Sequence, residues 1–234
     1  MSETLSARTV LGNANGRSVF RRALKWLGLL ALSPFVLTVI YTVVPPISLP
    51  MLGRALILQD VTRDWTALDD MAPGLPLAVL SSEDARFCEH WGVDFVELGK
   101  VLDRSGGPSR GASTIPMQIA KNLYLWPLPT ILRKAAEIPL ALWIDLVWSK
   151  RRTIEVYLNI AEWGDGIYGA EAASQAHFGK PAAELTVRQA ALLAAALPNP
   201  IKRDAGNPTS RMRGKAGTIT ARARESGDTL DCIK

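Results

Sequence analysis

The chain has 234 residues, 48% of them hydrophobic, and a formal net charge of +5 at pH 7. This length accommodates one globular domain and an additional segment. The positive charge lies at the two ends: residues 1–25 and 201–234 each carry +4, whereas residues 26–200 carry −3. This distribution excludes a domain-wide cationic face, and we expect no nucleic-acid binding.

An uncharged apolar stretch at residues 26–44 predicts a transmembrane helix. Spanning the hydrocarbon takes about 20 such residues, whereas a signal peptide would have a shorter apolar core and a small-residue cleavage site. Arg17, Arg21, Arg22 and Lys25 flank only its N-terminal side, which predicts a cytoplasmic N-terminus. The alternative is a buried core helix. We therefore predict a basic cytoplasmic segment over residues 1–25, the membrane helix over 26–44 and an extended linker over 45–52.

Long helical patterns with little strand alternation follow from residue 75 to residue 198. Ile154, Tyr157 and Leu158 recur at helical spacing, and Thr186 with Gln189 predicts a capping box at a helix start. Glycines cluster at residues 104–113 and 162–171, which predicts loops. We predict a mainly α-helical domain over residues 53–225 and a C-terminal tail over residues 226–234.

The two cysteines and two histidines are too few for a structural metal cage. Cys88 and Cys232 lie far apart, so the sequence does not determine whether they pair, and we predict Cys88 to be a small core residue. His90 and His177 are too scattered to indicate zinc.

The stretch SSEDARFCEHWGVDF at residues 81–95 places two adjacent acids, Glu83 and Asp84, after an apolar run. If the stretch is helical, Glu83, Phe87 and His90 share one face, and Asp84 points about 100° away. One acid could then face a cleft while its neighbour supports it. The alternative is a helix start at which Ser81 and Asp84 form a capping box, so that both acids are structural. Position alone favours the capping box.

A second motif, GASTIPMQIAKNLYLWP at residues 111–127, predicts a helix that begins at Ser113 or Thr114. Either hydroxyl can cap the helix, and a proline is acceptable in the first turn. Gln118, Lys121 and Asn122 gather on one polar face. A Gly-Ser-Thr loop before a helix can bind an anion, although the P-loop spacing is absent.

Two further motifs concentrate positive charge on helices. Arg133 and Lys134 lie four and three residues before Glu137, so all three can meet on one helix face. Such spacing usually forms a surface ion-pair cluster, but Pro139 should bend the helix beside Glu137. A run of cations at residues 150–152 stands at a predicted helix start, where it opposes the helix dipole. An anionic ligand, a membrane surface or nearby acids would compensate for it.

In this order the motifs resemble those of peptidoglycan glycosyltransferases, which polymerise lipid II into glycan strands. The resemblance covers residues 77–200 and rests on Glu83-Asp84-x-x-Phe87-x-x-His90-x-Gly92, GASTIPMQIAKN, RKAAE, KRRTIEVYLN and GAEAASQAHFGK. The phrase VYLNIAEWGDGIYGAEAA, with no room for a transpeptidase domain, points to the monofunctional biosynthetic transglycosylase branch. The resemblance implies a mainly α-helical, lysozyme-like, two-lobed domain preceded by one transmembrane helix.

Position by position, the resemblance also implies roles for individual residues. Glu83 matches the essential catalytic glutamate, and Glu137 matches the second glutamate of the cleft. The positions that match substrate and diphosphate contacts are Lys121, Arg133, Lys134, Ser113, Thr114, Gln118 and Asn122. Asp84 would be a supporting acid, and Phe87 and His90 would hold Glu83. Three positions depart from the family pattern: Met117 where glutamine is frequent, Ala112 where glycine is common, and His177 where tyrosine is usual.

The resemblance implies that the sugar 4-hydroxyl of one lipid II attacks the anomeric carbon of another, which is linked to undecaprenyl diphosphate. A diphosphate leaves as a stable anion and needs charge neutralisation more than a proton, whereas an O-glycosidase needs a carboxylic acid of raised pKa. Glu83 would be the general base, and Lys121, Arg133 and Lys134 would hold the diphosphate. Glu137 would position these cations or coordinate a divalent cation, Mg²⁺ or Mn²⁺. We expect no organic cofactor.

Two other classes of function stay open at this point. One is a lysozyme-like or lytic transglycosylase that cuts existing glycan, and the other is an inactive membrane-anchored scaffold. The cations beside the acids favour the polymerase, which would bind lipid II and the growing glycan chain. We expect the bacterial inner membrane as its location, a periplasmic catalytic domain, and partners from the division or elongation machinery. The basic segment at residues 202–224 would pack on the domain as a helix or lie on anionic lipid.

Overall fold

The computed structural model describes residues 3–103, 113–225 and 230–234 and divides into two compact units, Met1–Ile40 and Tyr41–Lys234. The first unit contains one helix, α1 (Glu3–Ile40). Its stretch Ser18–Ile40 is long and apolar enough to cross a membrane. The helix ends at Ile40, before the predicted limit at residue 44.

The second unit begins with a short helix, α2 (Leu49–Leu56). Ser48 caps this helix by accepting a hydrogen bond from the Met51 amide at 3.4 Å, and Pro50 lies in its first turn. The extended linker predicted over residues 45–52 is therefore wrong for its second half, because the serine cap and the proline start a helix there.

Three short strands form a small sheet: β1 (Thr62–Arg63), β2 (Glu162–Gly164) and β3 (Ile167–Tyr168). The strand order is β1-β3-β2, with β1 parallel and β2 antiparallel to β3. In the register, Thr62 lies opposite Ile167 and Glu162 opposite Tyr168. The glycine-rich segment at residues 162–171, predicted to be a loop, thus contains a tight hairpin.

The rest of the unit is mainly α-helical, as the sequence predicts. Its helices are α3 (Gly74–Glu83), α4 (Phe95–Leu102), α5 (Ile115–Ala120), α6 (Thr130–Val147), α7 (Lys150–Ile160), α8 (Ala170–Phe178), α9 (Val187–Ala196) and α10 (Ser210–Glu225). A π-helical turn, Lys121–Leu125, continues α5. Short 3-10 turns span Leu68–Asp70, Ala182–Glu184 and Asp231–Ile233.

Helices α3, α9 and α10 pack against one another and form much of the core. Helix α9 begins at the predicted capping box, in which Thr186 and Gln189 exchange hydrogen bonds. Its fully buried alanines, such as Ala191 and Ala194, allow close approach of the neighbouring helices. Leu75 and Val79 of α3 are fully buried in this core.

Helix α10 resolves the two alternatives for the basic C-terminal segment. Met212, Ala216, Ile219 and Ala223 recur at helical spacing and are buried. Because this stripe packs on α9 and α3, the segment belongs to the folded domain, and its charged residues lie on the remaining faces of the helix.

Candidate active site

The two adjacent acids lie at the end of a helix and have different surroundings. Glu83 is the last residue of α3, and Asp84 follows as the C-cap with φ −156° and ψ 69°. Asp84 is buried, and its oxygens accept hydrogen bonds from the Ile115 amide and from His90 Nε2, each at 2.8 Å. Both helical interpretations of this motif are wrong. The shared face would need the helix to continue to His90 and the capping box would need a helix to begin at Ser81, whereas α3 ends at Glu83.

Phe87 and His90 support Asp84 rather than Glu83. Phe87 is fully buried, and its ring meets the His90 ring edge-on with a centroid distance of 6.2 Å. Lys150 Nζ lies 4.8 Å from the centroid of the Phe87 ring and donates to the His90 carbonyl at 2.6 Å. The two side chains predicted to hold Glu83 therefore hold Asp84, the next residue, because the chain turns after α3.

Asp84 and Thr114 together hold the start of α5. Thr114 Oγ1 accepts a hydrogen bond from the Met117 amide at 3.4 Å and donates to the Gly92 carbonyl at 2.6 Å. Thr114 is 3% exposed, so the hydroxyl predicted to contact substrate is used inside the fold. Gly92 has a φ of 75°, and a Cβ there would lie 2.3 Å from the Ala141 carbonyl oxygen. The loop therefore approaches α6 as closely as glycine permits.

Gln118, one turn into α5, connects Glu83 to a buried tyrosine. Its Nε2 donates to Glu83 Oε2 at 3.2 Å, and its Oε1 accepts from the Tyr157 hydroxyl at 2.9 Å. Tyr157 belongs to α7 and is 2% exposed. In the sequence, Tyr157 is recognisable only as part of an apolar helical stripe, and its spacing gives no signal of this contact.

Glu137 forms a buried ion-pair cluster with two cations of α6. It is 1% exposed, and its Oε1 accepts from Arg133 Nε at 3.1 Å while its Oε2 accepts from Lys134 Nζ at 2.7 Å. Lys134 Nζ also donates to Ser113 Oγ at 2.6 Å. The predicted meeting of these three charged residues on one helix face is confirmed. The carboxylate is buried, so this cluster is not an ordinary surface ion pair.

Glu83 and the Glu137 cluster line one cleft of about 880 Å³. Part of its lining comes from α10, through Lys215, Thr218 and Arg222. No motif in the sequence pointed to these residues. Their spacing of three and four residues places them on one helix face apart from the buried stripe, which is the signal that could have identified them.

A second cavity of about 640 Å³ shares part of its lining with the first, through Gln118, Lys121 and Arg133. Asn122 also lines it, as do apolar residues of α2 and Trp126. The π-helical turn presents Lys121 and Asn122 to this space, and π-helical turns are frequent at functional sites. The predicted polar face of the second motif therefore does line a cavity.

Burial and charge act in opposite directions on the ionisable groups of the cleft. Burial raises the pKa of Glu83, and the Gln118 hydrogen bond and the charge of Lys215 counter part of this rise. Burial lowers the pKa of Lys121, the like charge of Arg133 lowers it further, and Glu137 opposes both. Perturbed groups of opposite sign in one cleft are typical of functional sites.

Two of the three departures from the family pattern, Met117 and His177, lie within the described residues. Met117 is 4% exposed and packs in an apolar cluster with Val93 and Ala141. Ala112 lies outside the described residues. His177 Nδ1 lies 3.0 Å from an Asp204 carboxylate oxygen, and its Nε2 lies 3.2 Å from the Trp163 carbonyl oxygen.

Each of the cations at residues 150–152 is paired with an acid of the same unit. The pairs are Lys150 with Asp145, Arg151 with Asp69, and Arg152 with Glu155. Arg152 also donates to the Tyr41 carbonyl at 2.9 Å. Of the three compensating interactions considered for this run, the structure therefore shows nearby acids.

A disulfide joins Cys88, between Asp84 and His90, to Cys232 in the last 3-10 turn. Cys88 is half-buried and disulfide-bonded, and not the small core residue predicted. The sequence left the pairing open, because a separation of 144 residues hides it from any local pattern. Among the described residues, no three His, Cys, Asp or Glu side chains gather in a way that could hold a metal ion.

The family model described as Transglycosylase matches residues 51–224. Three relatives named biosynthetic peptidoglycan transglycosylase are similar over most of the chain. The relative from Agrobacterium fabrum is 48% identical over 93% of this chain and 98% of its own length. The relative from Brucella suis is 50% identical over 91% of this chain and 96% of its own length. The relative from Rhodopseudomonas palustris is 51% identical over 90% of this chain and 94% of its own length.

Proposed function

The chain belongs to the transglycosylase family, and from this premise we propose that it polymerises lipid II with Glu83 as the general base. It is an enzyme, a peptidoglycan glycosyltransferase of cell-wall synthesis. The relatives are named for biosynthesis, so we adopt neither the hydrolase that cuts existing glycan nor the inactive scaffold.

One observation carries the assignment of roles: a partly buried carboxylate and a group of cations line the same cleft. The carboxylate is that of Glu83, and the cations are Lys121, Arg133 and Lys134. A leaving diphosphate needs preorganised positive charge where its negative charge develops. Lysine and arginine side chains satisfy that need, and guanidinium groups in particular match phosphate geometry.

In the proposed step, the 4-hydroxyl oxygen of the acceptor sugar bonds to the anomeric carbon of the donor. Its proton passes to Glu83, and the bond between that carbon and the diphosphate oxygen breaks, so the electron pair leaves with the diphosphate. Attack from the face opposite the leaving group inverts an α-linked donor to a β-1,4 bond. General-base transfer of this kind contributes typically about 10²–10⁴-fold.

Glu137 holds Arg133 and Lys134 in place, since each of its oxygens already accepts from one of them. A divalent cation, Mg²⁺ or Mn²⁺, stays a prediction. Mg²⁺ is usually bound by one or two carboxylates together with substrate phosphates, and Glu137 could serve as such a carboxylate only by exchanging a cation for the metal. We therefore assign Glu137 to positioning the cations that neutralise the diphosphate.

We further propose that α1 anchors the protein in the inner membrane and that the catalytic domain is periplasmic. Arg21, Arg22 and Lys25 precede the uncharged part of this helix, which begins at residue 26, and this favours a cytoplasmic N-terminus. The disulfide between Cys88 and Cys232 supports this orientation, because disulfides persist in the oxidising periplasm and are rare in the cytosol. Lipid II and the growing glycan would be its ligands, and division or elongation proteins stay predicted partners.

The general-base assignment is tested by Glu83→Gln in the full chain, purified in detergent and given labelled lipid II. We expect polymer formation to fall about 10²–10⁴-fold while the protein remains folded. Glu89→Gln is the matched control, since Glu89 is exposed and pairs with Arg86 at 2.7 Å outside the cleft. Glycan synthesis by Glu83→Gln at the rate of the control would refute the assignment.

A further inference from the structure

The buried side chain of Tyr157 carries a hydroxyl group that the proposed reaction does not use. It lies on α7 at 2% exposure, and its hydroxyl donates to Gln118 Oε1 at 2.9 Å. Gln118 in turn donates from Nε2 to Glu83 Oε2 at 3.2 Å. The phenol is therefore two hydrogen bonds away from the carboxylate assigned as general base.

A glutamine side chain can present either its oxygen or its nitrogen in a given direction. An ionised carboxylate only accepts hydrogen bonds, so it is stabilised by the nitrogen and repelled by the oxygen. A phenol that donates a hydrogen bond, by contrast, pairs with the amide oxygen and not with the amide nitrogen. With Glu83 and Tyr157 on the two sides of Gln118, only one orientation of the amide satisfies both.

We propose that Tyr157 is a positioning residue: its hydroxyl holds the Gln118 oxygen and so keeps the Gln118 nitrogen turned toward the Glu83 carboxylate. This inference rests on the proposed role of Glu83 as base. Tyr157 touches neither reacting group, and it acts through Gln118 on the proton affinity of Glu83.

The chemistry of the three groups gives the direction of the effect. Burial raises the pKa of Glu83, and the Gln118 hydrogen bond lowers it. Burial and the negative charges of Glu83 and Asp84 raise the pKa of Tyr157 well above its ordinary value, so the phenol keeps its proton while Glu83 titrates. Without the Tyr157 hydroxyl, the Gln118 amide can turn its oxygen toward Glu83, and the ionised base loses its donor.

The test is the pH dependence of lipid II polymerisation by Tyr157→Phe in the full chain. We expect the acidic limb of the profile to move to higher pH. At pH values below that limb, the variant should polymerise lipid II about tenfold more slowly than wild type, because a hydrogen bond to a charged group has been removed. On the alkaline plateau, where Glu83 is ionised in both proteins, the rates should converge. A loss of rate that is equal at every pH would overturn the proposal, since a structural defect does not follow the ionisation of Glu83.

Two further variants complete the design. Tyr168→Phe removes another buried phenol, with no hydrogen bond to Gln118, and should leave the position of the acidic limb unchanged. Gln118→Met keeps Tyr157 but removes the amide, so it should move the limb in the same direction as Tyr157→Phe. If Tyr157→Phe does not fold, an unmoved limb in Gln118→Met would overturn the proposal by itself.

The outcome is separable from that of the proposed function. Activity in Glu83→Gln would refute the base, whereas an inactive Glu83→Gln with an unmoved limb in Tyr157→Phe would refute only the positioning role. A double variant, Tyr157→Phe with Gln118→Met, should move the limb no further than Gln118→Met alone, because the hydroxyl acts through the amide.

Discussion

Replacing Lys134 by alanine tests whether the Glu137 cluster binds the diphosphate. Lys134 Nζ contacts Glu137 Oε2 at 2.7 Å and Ser113 Oγ at 2.6 Å, and its side chain is 44% exposed toward the cleft. A hydrogen bond to a charged group is worth about 1.5–3 kcal/mol. We therefore expect affinity for a diphospholipid to fall about 10- to 100-fold, at about 1.4 kcal/mol per factor of ten.

The same substitution also has a structural cost that must be separated from binding. Glu137 is 1% exposed, and among the described residues Arg133 is the ion-pair partner that it keeps after the change. Leaving a buried acceptor partly unsatisfied costs about 1–3 kcal/mol. We expect the low end of this range, because the exposure of Lys134 lets water reach the vacated position. Lys134→Met, which retains most of the apolar stem, should reproduce the binding loss with less disturbance of the packing.

The measurement combines three quantities on the full chain in detergent: affinity for an undecaprenyl diphosphate analogue, kcat/KM for lipid II, and the free energy of unfolding. Lys100→Ala is the matched control, since Lys100 pairs with Glu97 three residues away at 2.6 Å and is 56% exposed. Such an exposed pair contributes about 0–1 kcal/mol, and no change in affinity is expected. If Lys134→Ala lost stability but bound the analogue like wild type, the cluster would be structural and the diphosphate assignment wrong.

The remaining predictions concern stability and are checked by denaturant unfolding of the detergent-solubilised chain. Replacing both Cys88 and Cys232 by serine removes a cross-link between residues 144 positions apart, and chain entropy predicts a loss of about 5 kcal/mol in the free energy of unfolding. Reduction of the wild-type disulfide should give the same loss. An unchanged denaturation midpoint would mean that the cysteines do not pair. Gly92→Ala should lower the free energy of unfolding by at least about 1–2 kcal/mol, because the backbone of Gly92 is left-handed, and the contact of the new Cβ with Ala141 should add to this loss. Gly99→Ala is the control: its Cβ would meet nothing within 4 Å, so the substitution should be neutral or stabilising. Glu83→Gln should stabilise the fold at pH 7, because a pKa raised by burial means that folding disfavours the ionised carboxylate. This gain should decrease as the pH falls through the raised folded-state pKa and be absent below the unfolded-state pKa. Destabilisation at pH 7 would contradict the prediction.

What the sequence predicted correctly depends on neighbours within one or two helical turns. The contacts of Glu137 with Arg133 and Lys134 follow from a spacing of four and three residues, which any helix brings together. The capping box of α9 is local in the same way. These features needed no knowledge of how helices pack.

What the sequence did not predict depends on packing between distant segments. The bond from Asp84 to the Ile115 amide crosses 31 residues, and that from Tyr157 to Gln118 crosses 39. Local spacing could not show that α3 ends at Glu83, because the apolar run before it fits a longer helix equally well. Tyr157 had the spacing of a core residue and is one, but its hydroxyl needs a partner when buried, and that requirement is the only sequence-level signal of its role.

The end of α3 explains why two acids stand side by side in this chain. Inside a helix, the side chains of two adjacent acids would point about 100° apart on the helix surface. At the helix end, the backbone of Asp84 departs from helical angles, so Asp84 turns into the fold while Glu83 stays at the cleft. Asp84 then binds the first amide of α5, which places Gln118, three residues later, within 3.2 Å of Glu83. The second acid therefore contributes to the first through the position of a helix: losing the Asp84 carboxylate should displace Gln118 and raise the pKa of Glu83, although Asp84 itself does not reach the cleft.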